Sequence, residues 1–419
     1  EPLRWAVAAR PPVRPSARLS PPASNDSPAN RVQPSMPDIK FAIRTLTRTP
    51  FVTGVAIVSL ALGIGANTAI FSLIQGILLR PLPVNDPSRL VNIEAQGPNP
   101  GSQMCTQAGS CQVILSFPMF RDLEKAQDVL TSMGGHRAVG ADISFRGKAS
   151  SGEGMVVSGG YFPTLGLKPA LGRLLGPDDD RVVGGHPVVV LSHRYWTNEL
   201  GADRGILDQT LMINGTAFTV VGVAPEGFDG TTLGTRPRIF APLTMFGVLS
   251  QWFTGYEQRN SYWIYAFGRL EPGVSREQAQ ARLNSIYQPI VRDIETPQQV
   301  GLSDQMLREF REKKLTLTDG SQGQSDLRAR TTAPLILLIT VTGIVLLVAC
   351  TNVANLLLAR AANRSAEMAI RSSLGAQRSQ LAGQLITESA ILAVVAGAVS
   401  ILIAKATLGL ITSFLPREL

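Results

Sequence analysis

The chain has 419 residues, of which 44% are hydrophobic and 17% are charged, and its formal net charge at pH 7 is +8. Its mean hydropathy of +0.13 is too high for an ordinary soluble enzyme and too low for a bundle made only of membrane helices. The basic residues flank apolar segments and do not form one patch, which argues against a nucleic-acid-binding protein.

Residues 1–35 are rich in Pro, Ala, Ser and Arg and have no helical period, so we expect a disordered leader. This stretch lacks the apolar core that a cleaved signal peptide requires. Met36 is a candidate native start, in which case the leader is an upstream extension. Residues 36–50 are predicted to form a cytoplasmic amphipathic helix at the membrane interface, with Leu46 on its apolar side and Arg44 on its basic side.

Residues 51–80 contain a long charge-free apolar run and are predicted to form transmembrane helix 1, because about 20 apolar residues span the hydrocarbon core. Small residues recur every four positions within it: Ala61, Gly65 and Ala69. This spacing predicts close packing against another helix; the alternative is chance recurrence in a segment rich in Ala and Gly. The polar residues Asn67 and Gln75 are expected to face protein and not lipid.

Residues 81–332 are predicted to form an extracytoplasmic α+β domain of two subdomains, inserted between α-helical membrane spans. A run of β-branched residues predicts a strand at Val188–Leu191, and further strands are predicted at Thr210–Ile213, 217–223 and 263–269. Asn214-Gly215 between two of these runs predicts a hairpin with a type I′ turn. Ser275 and Gln278 predict a capping box at the start of a helix.

This inserted domain offers no recognisable residue set for catalysis or metal binding. The histidines 136, 186 and 193 lack metal-ligand spacing, and the acidic run at residues 178–180 lacks the pattern of a calcium loop. The glycine-rich stretch 140–149 fails as a phosphate-binding loop because Ala149 cannot offer a hydroxyl to Mg²⁺. We therefore expect no directly bound cofactor and no ATP hydrolysis by the chain. An enzyme anchored in the membrane, with its active site in this domain, is one alternative function.

The chain has three cysteines. Cys105 and Cys111 lie in the inserted domain, where oxidation can occur outside the cytoplasm. Their spacing does not decide between a local disulfide and two free thiols. Cys350 lies in the second apolar segment, where we expect it to serve packing.

Residues 333–359 and 385–415 are predicted to form transmembrane helices 2 and 3, joined by a short basic loop at residues 360–384. Lys and Arg concentrate in cytoplasmic loops, so this loop and the N-terminus are predicted to be cytoplasmic and residues 81–332 extracytoplasmic. Three spans place the C-terminus outside. Residues 416–419 are expected to be the truncated end of a fragment that lacks a further span.

The basic loop carries charges with helical spacing. Arg364, Glu367 and Arg371 fall on one helix face, so Glu367 can bridge two arginines. Gly375 can end the helix in the left-handed conformation. Two more positions complete the motif: Leu374 and Arg378. The simplest interpretation of the charge alone is a positive-inside loop with helical character.

The motif resembles the signature of MacB/FtsX-type ABC transporter permeases, in which a short helix between the second and third spans docks on a partner ATPase. The matching pattern is Arg364…Glu367-Met-Ala-Ile-Arg371…Leu374-Gly375-Ala376…Arg378, followed by Glu388-Ser389. Segments 157–173, 189–196 and 211–225 are similar to the MacB periplasmic core. The resemblance extends from Met36 onward.

This resemblance implies a permease subunit of an ABC-type efflux or export system that works by mechanotransmission to its periplasmic domain. ATP would be used by a separate ABC ATPase subunit, contacted through Arg364, Glu367, Arg371, Leu374, Gly375 and Arg378. Further implied partners are a second copy of the chain or a second permease half, and a periplasmic adaptor. The implied location is the bacterial inner membrane, with several spans. The alternative is an FtsX-like regulator of an extracytoplasmic partner such as a cell-wall hydrolase.

Overall fold

The computed structural model describes residues 43, 44, 46, 47, 50–363, 365–373 and 378–414. The predicted leader, most of the predicted interfacial helix and the predicted truncated end lie outside the described residues. The chain divides into two compact units. The first comprises the described parts of Glu1–Gly54 and Leu357–Val394, and the second comprises those of Val55–Leu356 and Val395–Leu419.

Three described helices are long and apolar enough to cross a membrane, over Pro50–Leu79, Asp326–Ala362 and Ile386–Thr407. The first apolar helix is α-helical over Pro50–Ile74 and continues as a π-helix over Gln75–Leu79. It ends there because Arg80 precedes a proline, which disfavours the helical conformation, and Arg80 is extended. The second apolar helix spans Asp326–Asn363 and the third spans Arg378–Phe414, with the short helix Ser365–Ser373 between them.

The segment between the first and second apolar helices, called the outer domain below, has an α+β fold. Its strands are β1 Leu90–Gln96, β2 Ser102–Gln103, β3 Leu115–Ser116, β4 Leu130–Phe145, β5 Lys148–Val157, β6 Leu171–Gly172, β7 Val188–Leu191, β8 Thr210–Ile213, β9 Thr216–Val223, β10 Ile239–Pro242, β11 Ser261–Leu270 and β12 Lys314–Asp319. Its α-helices are Phe117–Ala126, Tyr161–Leu165, His193–Asn198, Phe246–Leu249, Arg276–Pro289 and Asp304–Arg311. The predicted α+β class of this domain is confirmed.

The strands are connected in one sheet with the order β12-β1-β11-β4-β5-β10-β7-β9-β6. Strand β11 pairs antiparallel with both β1 and β4, and all ten of its residues are buried. The largest buried side chain, Trp263, lies on β11 within the main hydrophobic cluster. Since the strands join into one sheet, the division of the domain into two subdomains remains a prediction.

Several local predictions are confirmed. Strand β7 matches its predicted range, and β8 and β9 form the predicted hairpin. Both turn residues have positive φ, 49° at Asn214 and 82° at Gly215, as a type I′ turn requires. Ser275 and Gln278 form the predicted capping box, each side chain bonding the backbone N–H of the other residue.

The helix Arg276–Pro289 covers the outer edge of β12 with side-chain amides at every fourth position: Gln280, Asn284 and Gln288. Asn284 both accepts from the N–H and donates to the carbonyl of Leu315, each at 2.8 Å. Gln280 accepts from the N–H of Leu317 at 2.8 Å, and Gln288 donates to the carbonyl of Lys313 at 2.6 Å. The amides thus pair an edge that would otherwise be open to another strand.

Replacing Asn284 with alanine tests this edge cover. Asn284→Ala leaves both polar groups of Leu315 without their partner, so we expect the free energy of unfolding to fall by about 1–3 kcal/mol. Tryptophan fluorescence of the purified full chain during thermal unfolding in detergent measures the change. Ser285→Ala, at an exposed position on the same helix, is the matched control. Equal unfolding midpoints for the two variants would contradict the assignment.

Candidate functional site

The structure describes the predicted coupling segment only in part. Ser365–Ser373 is helical, so Glu367 and Arg371 lie on a helix, and Arg378 begins the third apolar helix. The side chains of these three residues are outside the described part. Three further predicted coupling residues lie outside the described residues altogether: Arg364, Leu374 and Gly375. The roles of all six remain predictions.

The second apolar helix is tied to the start of the first apolar helix just before this segment. Arg360 donates to the hydroxyl of Thr53 at 2.9 Å, and that hydroxyl donates to the carbonyl of Leu46, also at 2.9 Å. Arg360 lies five residues before Ser365, where the short helix starts. The short helix therefore begins close to a point where the two long helices are joined.

The small residues of the first apolar helix lie at helix contacts. Ala61 and Ala69 are buried. A methyl group placed on Gly65 would lie 3.0 Å from Ile403 Cγ2 and 3.1 Å from the carbonyl oxygen of Ser400, on the third apolar helix. Whether these small residues are needed for packing remains a prediction.

The first apolar helix carries two polar residues that were expected to contact protein, Asn67 and Gln75. Asn67 donates to the carbonyls of Gly63 and Thr342, both at 3.0 Å, and accepts from the Thr342 hydroxyl at 3.1 Å. Its expected contact with protein is confirmed, and it ties the first apolar helix to the second. Gln75 is exposed on this chain, so the same expectation stays a prediction for Gln75.

The segment that leaves the first apolar helix is held by a buried arginine of β11. Arg269 donates to the carbonyl of Asn85 at 2.6 Å, to that of Asp86 at 2.9 Å and to that of Thr164 at 2.7 Å. Burial lowers the pKa of Arg269, and the neighbouring charge of Arg89 acts in the same direction. The three hydrogen bonds to carbonyls offset part of the free-energy cost of removing this guanidinium from water.

The segment that enters the second apolar helix is held by a buried glutamine. Gln324 donates from its side chain to the carbonyl of Ala266 on β11 at 3.1 Å, and its side-chain oxygen lies 2.8 Å from His136 Nε2 on β4. Its backbone N–H donates to the carbonyl of Thr231 at 2.9 Å. At Gly323, φ is +74° and an added Cβ would lie 2.1 Å from the Thr231 oxygen, so only glycine fits.

The two helix-connecting segments also contact each other. Arg328, in the first turn of the second apolar helix, donates to the carbonyl of Ile77 at 3.0 Å and to that of Gln322 at 3.0 Å. The backbone N–H of Leu82 donates to the carbonyl of Ser321 at 2.9 Å. We call the set Ile77, Leu82, Arg269, Gln324 and Arg328, with their partners, the junction.

His136 is fully enclosed at the junction. Its ring lies between 5.9 and 6.0 Å from the rings of Tyr161, Tyr265 and Phe267. Because the Gln324 amide nitrogen donates to a carbonyl, its oxygen is the acceptor for the His136 Nε2–H. Burial lowers the pKa of His136 to about 4, since a charged imidazolium would be desolvated there. The imidazole is therefore neutral and serves as a buried donor.

The described residues include all three cysteines and all three histidines of the chain. Among them, no group of three or more His, Cys, Asp and Glu side chains is placed to hold a metal ion. Cys105 and Cys111 form a disulfide, which settles the choice that their spacing left open. Cys350 is free and exposed on this chain, so its expected packing role stays a prediction.

Sequence reasoning missed the residues of the junction. Arg269 offered one signal, since it is a charged residue at the end of an otherwise apolar predicted strand. Gln324 and Arg328 offered none, because a Gly/Ser/Gln-rich stretch before an apolar helix is typical of an ordinary loop. Their partners Ala266 and Ile77 are far away in sequence.

Two family models match the chain. The MacB-like periplasmic core domain matches residues 53–286, and the FtsX-like permease C-terminal domain matches residues 339–417. No curated protein matches the chain in sequence.

Three solved structures are similar to part of the chain at low sequence identity. The periplasmic region of MacB from Actinobacillus actinomycetemcomitans has a TM-score of 0.39 and 17% identity, covering 60% of this chain and 94% of that chain. The extracellular domain of the noncanonic ABC-type transporter YknZ from Gram-positive bacteria has a TM-score of 0.35 and 12% identity. The match covers 47% of this chain and 92% of that chain. A domain of a putative permease protein from Porphyromonas gingivalis has a TM-score of 0.38 and 14% identity. The match covers 61% of this chain and 99% of that chain.

A bulky residue at position 65 tests the contact between the first and third apolar helices. Gly65→Val places a side chain against a backbone carbonyl that cannot rotate away, so we expect a loss of about 1–3 kcal/mol in stability. Gly343→Val is the matched control, because a Cβ at Gly343 has no neighbour within 4 Å. Thermal unfolding in detergent, followed by size-exclusion chromatography, measures both variants. A Gly65→Val protein as stable as the control would show that this contact is dispensable.

The neutral state of His136 predicts a specific loss of stability in acid. The unfolded chain takes up this proton near pH 6.5, whereas the folded chain does so only near pH 4. The contribution of His136 to stability is therefore fully present above pH 6.5 and is lost as the pH falls toward 4, by about 3 kcal/mol in total. The measurement is the difference in unfolding free energy between wild type and His136→Phe at each pH. A difference that does not change between pH 6.5 and pH 4 would contradict the buried neutral imidazole.

Proposed function

The chain belongs to the MacB/FtsX-type ABC permease family, and on this premise we propose that it is the permease subunit of an export system driven by mechanotransmission. Members of this family work with ABC ATPase partners. In the proposed mechanism the partner uses ATP in the cytoplasm and moves the short helix Ser365–Ser373. The apolar helices carry this movement to the outer domain, which pushes the substrate onward.

The proposed topology is that of an inner-membrane protein with several spans. The first, second and third apolar helices cross the bilayer, residues 36–50 and 360–384 are cytoplasmic, and residues 81–332 form the periplasmic core domain. The length and composition of the three helices support this arrangement. The excess of Lys and Arg before the first helix and between the second and third supports the orientation.

The observation that carries the proposal is the junction. A mechanical link needs a stiff connection, and an irregular linker is stiff only where its backbone groups are fixed by the fold. Here Arg269 fixes the segment after the first apolar helix, and Gln324 fixes the segment before the second. Arg328 then joins the two helices to each other. This arrangement suits a domain that must follow the helices.

The second apolar helix is the proposed lever. It runs without interruption from Asp326 to Asn363, which is roughly 57 Å at a rise of 1.5 Å per residue. Its cytoplasmic end is joined to the first helix through Arg360, and its outer end carries Arg328. Pro334 lacks a backbone N–H and so removes one hydrogen bond from this helix near its outer end.

We also propose that the chain works as a pair, with a second copy or a second permease half. The described apolar helices expose large side chains along their length, including Phe71, Leu337 and Val394. In a bilayer these side chains face lipid or another apolar helix. A periplasmic adaptor is the further partner class for an export system.

Charge reversal in the coupling segment tests the ATPase contact. Glu367→Lys reverses the one acidic charge in the predicted coupling motif, so we expect the affinity for the partner ATPase to fall about tenfold, together with ATP-coupled activity. Co-purification and ATPase assays of the complex in nanodiscs measure the two effects. Glu312→Lys, at an exposed position of the outer domain, is the control with the same change in charge. Unchanged association and activity in Glu367→Lys would reject the coupling role.

The same complex discriminates between export and regulation. ATP-dependent release of a lipid, a peptide or a drug from the reconstituted complex supports export. ATP-dependent activation of an added cell-wall hydrolase, with no such release, would replace export by the FtsX-like regulatory function.

A further inference from the structure

The disulfide Cys105–Cys111 closes a seven-residue ring on the outer domain, with Cα atoms 5.0 Å apart. Cys105 is exposed and Cys111 is half-buried. An exposed disulfide is open to attack by a thiolate from another molecule, whereas a buried one is not. The ring is therefore chemically accessible.

Residues inside the ring are seated on strand β11 by one tyrosine. The hydroxyl of Tyr265 accepts from the backbone N–H of Thr106 at 2.9 Å and donates to the carbonyl of Gly109 at 2.8 Å. Ala108 is buried in a small apolar cluster with Tyr262 and Tyr265. The ring thus has one defined position on the sheet.

One backbone group of the ring reaches the second apolar helix. The carbonyl of Gln107 accepts from the backbone N–H of Asp326 at 2.9 Å, and Asp326 is the first residue of that helix. Helix N-termini have backbone N–H groups without partners inside the helix, so an external acceptor stabilises the first turn. Ser325 supplies a second acceptor, through its hydroxyl, to the N–H of Arg328. The ring is therefore part of the cap of the proposed lever.

We propose that Cys105–Cys111 is a redox-modification site whose substrate partner is a dithiol outside the cytoplasm, and that its reduction loosens the first turn of the second apolar helix. The proposal goes beyond the proposed function and takes from it only the location of this disulfide outside the cytoplasm.

The exchange proceeds in two balanced steps. A thiolate of the dithiol attacks Cys105 Sγ, forms a mixed disulfide and releases the Cys111 thiolate, which takes up a proton. The second thiol of the dithiol then attacks the dithiol sulfur that is bonded to Cys105 Sγ. This step closes the dithiol into a disulfide and releases the Cys105 thiolate, which takes up a proton. Two electrons pass to the cysteine pair, and the dithiol becomes a disulfide.

Opening the ring acts on the helix through Gln107. The closed ring limits the conformations of the residues between the cysteines, and the open chain regains them. The hydrogen bond from the Asp326 N–H to the Gln107 carbonyl is then formed for a smaller fraction of the time, so the first turn of the helix opens more often. The loss of about one hydrogen bond corresponds to about five- to tenfold faster amide exchange.

Hydrogen exchange of the full chain in nanodiscs tests the proposal. The chain carries Cys350→Ala, so that thiol labelling counts only the Cys105–Cys111 pair. The probe is dithiothreitol, added under native conditions. We expect two free thiols after treatment and about five- to tenfold faster exchange over residues 105–111 and 326–330. Exchange in strands β7 and β9, which lie toward the other end of the sheet, should not change.

Tyr265→Phe is the companion variant, with Tyr265 as a positioning residue. It keeps the disulfide but removes the hydrogen bonds that seat the ring, so exchange over residues 326–330 should rise while the protein is oxidised. The proposal would be overturned by free thiols before treatment, by a disulfide that native-state dithiothreitol does not reduce, or by unchanged exchange over residues 326–330 after reduction. Faster exchange in β7 and β9 as well would replace a local effect by general unfolding and equally overturn it. None of these results bears on the Glu367 test of ATPase coupling.

Discussion

Strand β11 holds both connections between the outer domain and the apolar helices, and this constraint follows from the cost of burying polar groups without partners. The segments that enter and leave the helices are irregular, so their carbonyls cannot pair within a regular element. Arg269 at one end of β11 supplies donors to Asn85 and Asp86, and the Ala266 carbonyl on the same strand receives Gln324. One buried strand therefore fixes the direction of both segments.

The position of β11 in the sheet extends this constraint to the whole domain. It pairs with β1 on one side and β4 on the other, and its side chains are buried along its full length. Close-packed interiors yield little, so a displacement applied to β11 moves its neighbours with it. The edge strand β12 is fixed in turn by the helix amides that pair its outer side. The contacts of β11 and β12 thus connect the parts of the outer domain to one another.

Short-range patterns in the sequence predicted much of the fold, and long-range contacts could not be read from it. The hairpin at Asn214-Gly215, the capping box at Ser275 and the three apolar segments all depend on residues close together in the chain. The junction depends on pairs such as Arg328 with Ile77, which are 251 residues apart. No periodicity brings such residues together. The disulfide was undecided for a related reason, since spacing alone says nothing about the tyrosine that seats the ring.

Three elements meet the first turn of the second apolar helix from different directions. The Gln107 carbonyl accepts from the N–H of Asp326, the Ile77 carbonyl accepts from Arg328, and Gln324 inserts into the sheet just before the helix begins. Rotation or sliding of the helix relative to the domain would break at least one of these contacts, and at Gln324 it would leave a buried polar group without a partner. The loss of the Gln324 contact alone costs about 1–3 kcal/mol, because its amide is buried. A movement of the helix as a rigid body together with the domain breaks none of them, and it is therefore the motion that this arrangement favours.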